Sequence, residues 1–545
     1  MIKALVVDAL ARASGERYST FDVVGAGPRV VAGILEEFGV KTTLKTYEEV
    51  NNNPRLYLKS DIVLVSAMST DYGALRKLVR TMRKKGYTGP VIVGGPISFE
   101  YSRLLKDSLA DIVIIGEAEI PLEKMFSGED VVRAVISKNF IGLEKIPSIA
   151  FKKSNKVIVT SRHMHTPPQK LSKLKPWVKI DQSYPFYWIL RYYVEVVRGC
   201  SNFHRPLISG IGGLNCIRCM QCYSRDLKLR LECPMGIPPG CGFCSVPYQF
   251  GWARSRSIDG IVREIKGLIS HGAERIVLSA PDFLDYGRDK LVEPEPLTDP
   301  CEPPANIDMI EKLLEKIYEI KQVSEGKVKV FVENIKACLV DEEVARLLGK
   351  YLQGTMIHIG LETGEYEYNR LIGKPISPEQ VISAARLLKK HGLRPYVYLM
   401  YGLPLMDRRV YEKTIMIVDK LIDAGVEKIT LYKFIPLPFT AFKDMKPSLE
   451  NVEDLIHKLK KKVNDHNYKQ KEKLKGKIIR VYLVFSKGKY YGYPVLHGPT
   501  VFVKGLKSSG FSGCLAEVEI TDIAPRFVWG RFLRILRCGP ITRFF

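Results

Sequence analysis

At 545 residues the chain is too long for one ordinary domain, and about two to four domains are expected. A hydrophobic share of 46% and a charged share of 26% describe a globular protein able to bury real cores, and no apolar run nears the ~18 residues of a membrane-spanning helix. The formal net charge of +24 favours a polyanionic partner such as nucleic acid, although a lysine-rich surface alone gives the same total.

The start, Met1 to Asp8, reads as a first strand and lacks the parts of a signal peptide. A cytoplasmic setting is expected, where clustered cysteines bind metal more often than they form disulfides. Residues 1–140 alternate apolar strands with amphipathic helices. Strands are predicted at Ile2–Val7, Asp61–Ser66, Val91–Gly94 and Asp111–Ile115. Helices are predicted at Gly27–Phe38, with Val30, Val31, Ile34, Leu35 and Phe38 on one face, and at Ala74–Lys85. This alternation predicts a Rossmann-like, doubly wound parallel sheet whose ligands sit beyond the carboxyl ends of the strands, where Gly94, Gly95 and Gly116 lie. Residues 141–190 read as a poorly periodic connector with Pro147, Pro167, Pro168, Pro176 and Pro185. Its His163 and His165 have no cysteine or acidic cluster close by and read as surface residues.

The density of cysteine then changes abruptly. None occurs before residue 200, yet seven of the chain's 11 lie between Cys200 and Cys244. The strand Tyr192–Val197 ends in Arg198-Gly-Cys200. Cys216, Cys219, Cys222 and Cys233 follow, and Cys241-Gly-Phe-Cys244-Ser-Val-Pro247 closes the run. Such a cluster asks for metal, and the run of two-residue gaps suits iron–sulfur better than tetrahedral zinc. Cys301, Cys338, Cys514 and Cys538 are isolated and read as structural.

After Ser257, a candidate N-cap, comes a helix with Ile258, Ile261, Val262, Ile265 and Leu268 as its stripe. Strands at 275–279, 328–332, 356–359, 395–400 and 427–432 alternate with helices near 307–322, 341–351, 378–391 and 409–424. About six βα units counted from Tyr192 predict a complete or open parallel barrel, with chemistry at the C-terminal ends of its strands. Asp282, past the second strand, and Glu333 and Asn334, past the third, fit either a polar role near a ligand or a turn cap. Residues 446–475 are lysine-rich and helical. From Gly476 the composition shifts to short alternating strands, Lys477–Phe485, Tyr490–Val495, Thr500–Val503 and Leu515–Ile520, which predict a small β-barrel.

Three resemblances follow from quoted motifs. Arg198-Gly-Cys200, Cys241-x-Phe-Cys244-x-Val-Pro247, Phe250-Gly251, Gly360-Leu-Glu-Thr-Gly364, Gly402-Leu-Pro404 and Pro438-Phe-Thr-Ala441 together resemble the radical-SAM superfamily over about residues 190–445, nearest its methylthiotransferase and cobalamin-dependent branch. The resemblance implies a [4Fe–4S] cluster on three thiolates, whose open iron chelates S-adenosylmethionine (SAM) and cleaves it reductively to a 5′-deoxyadenosyl radical. It also implies a reductant protein. Glu362 would bond the SAM ribose, the backbone near Phe243 would meet adenine, and Gly360 and Gly364 would permit close approach. Val93-Gly-Gly-Pro96 and Ile115-Gly-Glu-Ala-Glu119 resemble the cobalamin-binding domains that precede such cores. The Asp-x-His-x-x-Gly segment that supplies a cobalt ligand is missing, as in many members, so cobalamin is allowed and not required. Gly476-Lys-Ile-Ile-Arg-Val481 and Gly513-x4-Val518-x-Ile520-Thr-Asp522 resemble the TRAM module that ends many tRNA-modifying methylthiotransferases.

One departure is large. The superfamily usually has about three residues between its first two cysteines, whereas Cys200 and Cys241 are far apart here. Either Cys200, Cys241 and Cys244 hold the SAM cluster and Cys216, Cys219, Cys222 and Cys233 an auxiliary centre, or Cys233 replaces Cys200 in the first set. The expected organisation is therefore a cobalamin-binding-like domain at 1–140 and a connector at 141–190. A partial (β/α)6 TIM-like core follows at 191–445 with a cysteine-rich insertion at 201–240, then a helical linker at 446–475 and a TRAM-like barrel at 476–545. The expected activity is radical C–H functionalisation, methylation or methylthiolation, of RNA, with tRNA first. The competing readings are a small-molecule or lipid substrate, or a non-catalytic iron–sulfur or zinc RNA-binding protein.

Overall fold

A computed structural model describes residues 1–17, 22–154, 156–161, 165–506 and 509–540. The chain divides into two compact units, Met1–Glu195 with Arg256–Glu274, and Val196–Ser255 with Arg275–Phe545. Among the described residues no helix is long and apolar enough to cross a membrane.

The first unit holds a seven-stranded sheet in the order Lys41–Thr46, Lys3–Asp8, Ile62–Ser66, Val91–Gly94, Ile112–Ile114, Ile149–Lys153, Lys156–Val159. The first five strands are parallel, and their order reverses direction between Lys3–Asp8 and Ile62–Ser66, as doubly wound sheets do. Strand Ile62–Ser66 is buried along its whole length, which is why its sequence is an uninterrupted apolar run. Two features depart from the expected pattern. Lys41–Thr46 is an edge strand that buries only Leu44 and Thr46, so its composition carries no apolar signal. The expected connector contains an antiparallel hairpin, Ile149–Lys153 with Lys156–Val159, that extends the sheet. Its strands of five and four residues are too short to show a period. The helix Ala26–Glu37 buries Val30, Ile34 and Leu35 as expected, but Phe38 sits at its C-cap and is 37% exposed. His163 lies outside the described residues. His165 is half-buried, with Nδ1 3.4 Å from an oxygen of the buried Glu117, so it is not the open surface residue expected.

Ser257 caps the helix Ile258–Ser270, accepting from the Gly260 N–H at 3.3 Å. That helix carries Glu264 into the first unit's interior. One carboxylate oxygen accepts from Arg29 at 2.8 Å, the other from Arg256 at 2.7 Å, and all three side chains are essentially inaccessible. Such a triad holds only while every member is present, because a buried charge without its partner keeps its full desolvation penalty.

The second unit alternates strands and helices as predicted. Arg275–Ser279 pairs in parallel with Lys329–Val332. Asn334–Ile335, Met356–Glu362, Arg394–Tyr401 and Lys428–Lys433 form a second parallel set. The crossover helices Ile307–Tyr318, Glu342–Leu352, Pro378–Lys390 and Arg408–Asp423 start at the side-chain caps Asn306, Asp341, Ser377 and Asp407. This is the TIM-like part of the chain. Beyond the helix Glu453–Glu472, five strands close into a barrel in the order Ile478–Ser486, Lys489–Pro494, Val501–Lys504, Val528–Cys538, Cys514–Ile523. Its interior is filled by Val481, Leu483, Val501, Val518 and Val528. A Cβ on Gly530 would meet Val518 at 2.3 Å, so only glycine fits there. The fifth strand was not expected from sequence, because alternation with Arg531, Arg534 and Arg537 hides its inward residues.

The four cysteines read as isolated are paired as disulfides, Cys301–Cys338 and Cys514–Cys538. Cys514 and Cys538 are register partners on adjacent antiparallel strands, a proximity that their sequence separation of 24 conceals.

Replacing Glu264 with Ala leaves Arg29 and Arg256 buried together. The expected loss is about 3–5 kcal/mol of stability, read by chemical denaturation. A variant that unfolds at the wild-type midpoint would show that the triad carries no such constraint.

Candidate functional site

The first cysteine follows a two-residue strand, Val197–Arg198, that pairs antiparallel with Arg254–Ser255. Between strand and cysteine, Gly199 adopts φ +83°. A Cβ there would lie 2.1 Å from the Trp252 carbonyl oxygen, so the turn that presents Cys200 requires glycine. The Cys200 N–H donates to the Gly251 oxygen at 3.1 Å, which ties this turn to the end of the Cys241–Gly251 segment.

Asn202 completes the connection. Its side-chain amide donates to Cys241 Sγ at 3.3 Å and to the Gly373 oxygen at 2.9 Å, and its N–H reaches Cys200 Sγ at 3.4 Å. The Gly242 N–H donates to the Ile372 oxygen and the Gly242 oxygen accepts from Phe442, each at 2.8 Å. A Cβ on Gly242 would overlap the Phe442 ring at 2.3 Å. Thus the Cys241–Cys244 loop is gripped by segments from three parts of the core, and Cys200, Cys241 and Cys244 face one another closely enough to interact electrostatically. All three are half-buried. Burial raises the Cys200 thiol, pushes Cys241 up to about 11 and Cys244 up to about 12. Protein surroundings alone therefore disfavour three thiolates here; a bound cationic metal centre reverses that preference.

Behind Cys200 lies a buried polar network. Lys336 Nζ donates to Asp282 and Asp285 at 2.8 Å each and to Ser201 Oγ at 2.7 Å. Arg288 donates to Asp285 at 2.6 Å, and Ser201 to the same oxygen at 2.8 Å. Burial leaves Asp282 raised, whereas Lys336 and Arg288 outweigh burial at Asp285 and lower it. Asp282 also accepts from the Leu284 and Lys336 N–H groups at 3.1 Å each, so it caps the turn and in addition pairs with Lys336, a role the sequence did not suggest. Asn334 begins the strand paired with Met356–Glu362.

The strand Met356–Glu362 brings the other predicted residues to this end of the core. Register shifts against the neighbouring strand between Gly360 and Glu362, and Glu362 takes φ +71°, a conformation that non-glycine residues rarely hold. Lys374 Nζ lies 3.0 Å from Glu362 Oε1. Burial pulls the Lys374 ammonium down, but Glu362 and Cys241 outweigh it and raise it, so a fixed cation lies beside a carboxylate and the cysteines. A Cβ on Gly360 would meet Glu362 Oε1 at 2.7 Å, and one on Gly364 would meet the Lys413 oxygen at 2.5 Å. Phe243 is half-buried between Cys241 and Cys244. Asn202, Lys336 and Lys374 were not foreseen from sequence. Their one signal is adjacency: Asn202 follows Cys200 by two residues, and Lys374 follows the helix after Gly364.

The remaining cysteines gather separately. Cys216, Cys219, Cys222 and Cys233 line one small pocket of about 20 Å³ together with Arg205. Cys222 is buried and Cys219 exposed. Arg205 is held by donating to the backbone oxygens of Ile237, Arg230 and Leu231 at 2.8–3.1 Å, which fixes it beside Cys219, Cys222 and Cys233. The structure therefore groups Cys200 with Cys241 and Cys244, and Cys233 with the triplet. Among the described residues no three His, Cys, Asp or Glu side chains converge as a single metal ion would require.

In the first unit, Gly94, Gly95 and Gly116 line a narrow cleft of about 40 Å³ with Ser66, Ile92 and Ile114, at the carboxyl ends of the parallel strands. Gly95 and Gly116 have φ of +83° and +78°. A Cβ on Gly94 would meet nothing within 4 Å, so glycine there leaves the cleft open. Its walls are apolar and its floor is bare backbone, at the place where doubly wound sheets bind their ligands.

Residues 232–418 match the Radical SAM superfamily, and residues 18–126 match the B12 binding domain. The chain is 37% identical to an uncharacterized protein of Methanopyrus kandleri over 98% of its own length and 96% of that protein's. A putative methylthiotransferase of Methanocaldococcus jannaschii is 24% identical over 80% of this chain and 81% of its own. The tRNA-2-methylthio-N(6)-dimethylallyladenosine synthase of Bacillus cytotoxicus is 24% identical over 54% of this chain and 55% of its own. Among solved structures, the radical S-adenosylmethionine methyltransferase TsrM of Kitasatospora setae, with cobalamin and a [4Fe–4S] cluster bound, shares the fold. Its TM-score is 0.57 at 14% identity, over 81% of this chain and 74% of that one.

Gly199→Ala tests the turn that presents Cys200. The new Cβ displaces the Trp252 carbonyl, so the Cys200 thiol in the metal-free protein is expected to react several-fold faster with a thiol reagent. Wild-type reactivity would show that the turn tolerates a side chain.

Proposed function

The chain belongs to the radical-SAM superfamily and carries a B12-binding domain, and from that premise we propose a transferase that methylates or methylthiolates RNA, with tRNA as first candidate. It is an enzyme of that superfamily. The observation that carries the reading is the partition of seven cysteines into a set of three and a set of four.

In this reading Cys200, Cys241 and Cys244 hold the SAM cluster. A [4Fe–4S] cluster held there would supply the reductive cleavage of SAM to the 5′-deoxyadenosyl radical, given an electron from a reductant protein. Asn202 donates a hydrogen bond to the Cys241 sulfur, an interaction that stabilises a thiolate and shifts the potential of whatever it binds. Lys374 fixes the Glu362 carboxylate that faces the SAM ribose. Gly360 keeps a side chain out of that space, Gly364 lets the chain pack against the Lys413 backbone, and the backbone at Phe243 meets the adenine. Lys336 and Arg288 neutralise Asp282 and Asp285, so the ground behind Cys200 stays fixed and dry. Cys216, Cys219, Cys222 and Cys233 hold an auxiliary centre, iron–sulfur rather than zinc, with Arg205 offsetting its negative charge. Gly94, Gly95 and Gly116 receive cobalamin.

RNA is supported by the +24 charge, by the separate C-terminal barrel, and by the names of the methylthiotransferase relatives. The residues matching the B12 domain contain no cysteine, so a sulfur donor, if methylthiolation is the outcome, is the auxiliary centre.

Two measurements test this. Anaerobic reconstitution should give about seven to eight iron per chain. Cys200→Ala should abolish release of 5′-deoxyadenosine from SAM, whereas Cys233→Ala should lose about half the iron and keep that release. The reverse result would exchange the two cysteines, and about four iron with one zinc would replace the auxiliary cluster. For cobalamin, Gly94→Leu fills the cleft without straining the backbone. Retention of added hydroxocobalamin should be lost at an unchanged melting temperature, and retention equal to wild type would remove cobalamin from this cleft.

A further inference from the structure

One of the two disulfides stands between the two groups of free cysteines. Cys514 and Cys538 join strands that already pair along their length. Cys301 and Cys338 are placed differently, one in an irregular loop and the other in a single turn, 37 residues apart. Cys338 lies in the turn Ala337–Leu339, directly after Lys336, whose ammonium holds Ser201, Asp282 and Asp285 behind Cys200.

Cys301 lies in the loop that grips the cysteine-rich segment. There the Asp299 carboxylate pairs with Arg230 at 2.6 Å, and Thr298 Oγ1 donates to the Leu227 oxygen at 2.9 Å. Leu227 and Arg230 both fall between Cys222 and Cys233. Arg288 donates to the Asp299, Pro300 and Pro303 oxygens at 3.2, 3.4 and 2.8 Å, from the same guanidinium that pairs with Asp285. The bridge therefore ties the loop that grips the four-cysteine segment to the turn that backs the three-cysteine site.

Two observations distinguish this bridge from a structural staple. Both of its cysteines are half-buried, so a small thiol can reach them. The seven free cysteines bind metal only as thiolates, so the protein must work where thiols stay reduced. That same setting reduces a disulfide within reach.

We propose that Cys301–Cys338 is a thiol–disulfide exchange site whose state sets how firmly the segment from Cys216 to Cys233 is held against the core. The co-reactant is a dithiol. One of its thiolates attacks a sulfur of the bridge, which breaks the Cys301–Cys338 bond and forms a mixed disulfide. The second thiol of the reductant then displaces the cysteine. Two electrons and two protons pass to Cys301 and Cys338, and the dithiol leaves as a disulfide. With the bridge open, the loop keeps only the Asp299 ion pair and its hydrogen bonds, each a modest net contribution. The proposal stands on the fold and holds whatever the substrate.

The test uses the full reconstituted chain under anaerobic conditions. It is equilibrated in buffers of reduced and oxidised glutathione, with dithiothreitol as the fully reducing limit. Differential alkylation read by mass spectrometry gives the state of the pair, and hydrogen exchange gives the mobility of each segment. The pair should pass from bridge to thiols across the series in the native protein. Exchange at residues 224–231 and 297–303 should rise several-fold as it does, while the core helices stay unchanged. C301S/C338S should exchange fast at those segments in every buffer, and C514S/C538S should respond like wild type. A pair locked in one state across the whole series overturns the proposal. So does exchange at the two segments that is the same with the bridge open or closed. Faster exchange spread evenly over the chain marks a structural staple and overturns it as well.

Discussion

One carboxamide holds the cysteine site together. Asn202 stands two residues past Cys200, yet its side chain donates to Cys241 Sγ and to the Gly373 oxygen. Those partners are distant in sequence and come from separate loops. The glycines around it are the complement of that grip. Gly199, Gly242 and Gly373 each sit where a Cβ would lie within 3 Å of another segment, so the loops can approach to hydrogen-bond distance. A longer side chain at any of them would open the site by pushing its loops apart.

The buried charges follow one rule throughout. Lys336 sits between two aspartates, Lys374 beside Glu362, and Glu264 between two arginines. None is isolated, because an ion removed from water must find its counter-charge within the protein. Two of these pairs lie against the cysteine set of three, which ties its geometry to the integrity of the core around it. Chemistry that depends on a bound radical precursor needs that rigidity, since a small displacement of the reacting groups is expensive in rate.

The sequence was legible where a residue type answers a single physical demand. Continuous apolar runs announced the buried parallel strands, and Ser257 announced its helix cap. It was less legible where neighbours in space decide. Lys41–Thr46 is an edge strand with little to bury, and the barrel strand Val528–Cys538 hides its inward residues among arginines. Cys514 and Cys538 meet only because two strands pair. The assignment of Cys233 could not be read from spacing, since strand position argued for Cys200 and proximity for Cys233. Lys374 and Lys336 carry no motif; they matter through what the fold sets beside them.

The segment between Cys200 and Cys241 has a narrow neck, where the Gly240 N–H donates to the His204 oxygen at 2.8 Å. The chain therefore leaves and re-enters the core at nearly the same point. The entropy of closing a loop grows only with the logarithm of its length, so stretching a loop of a few residues to about forty costs roughly 2 kcal/mol. A module of this size is thermodynamically cheap to acquire and to alter. The neck, not the contents of the loop, sets the distance between the first cysteine and the second, so the segment beyond it is free to diverge among relatives while the core stays in register.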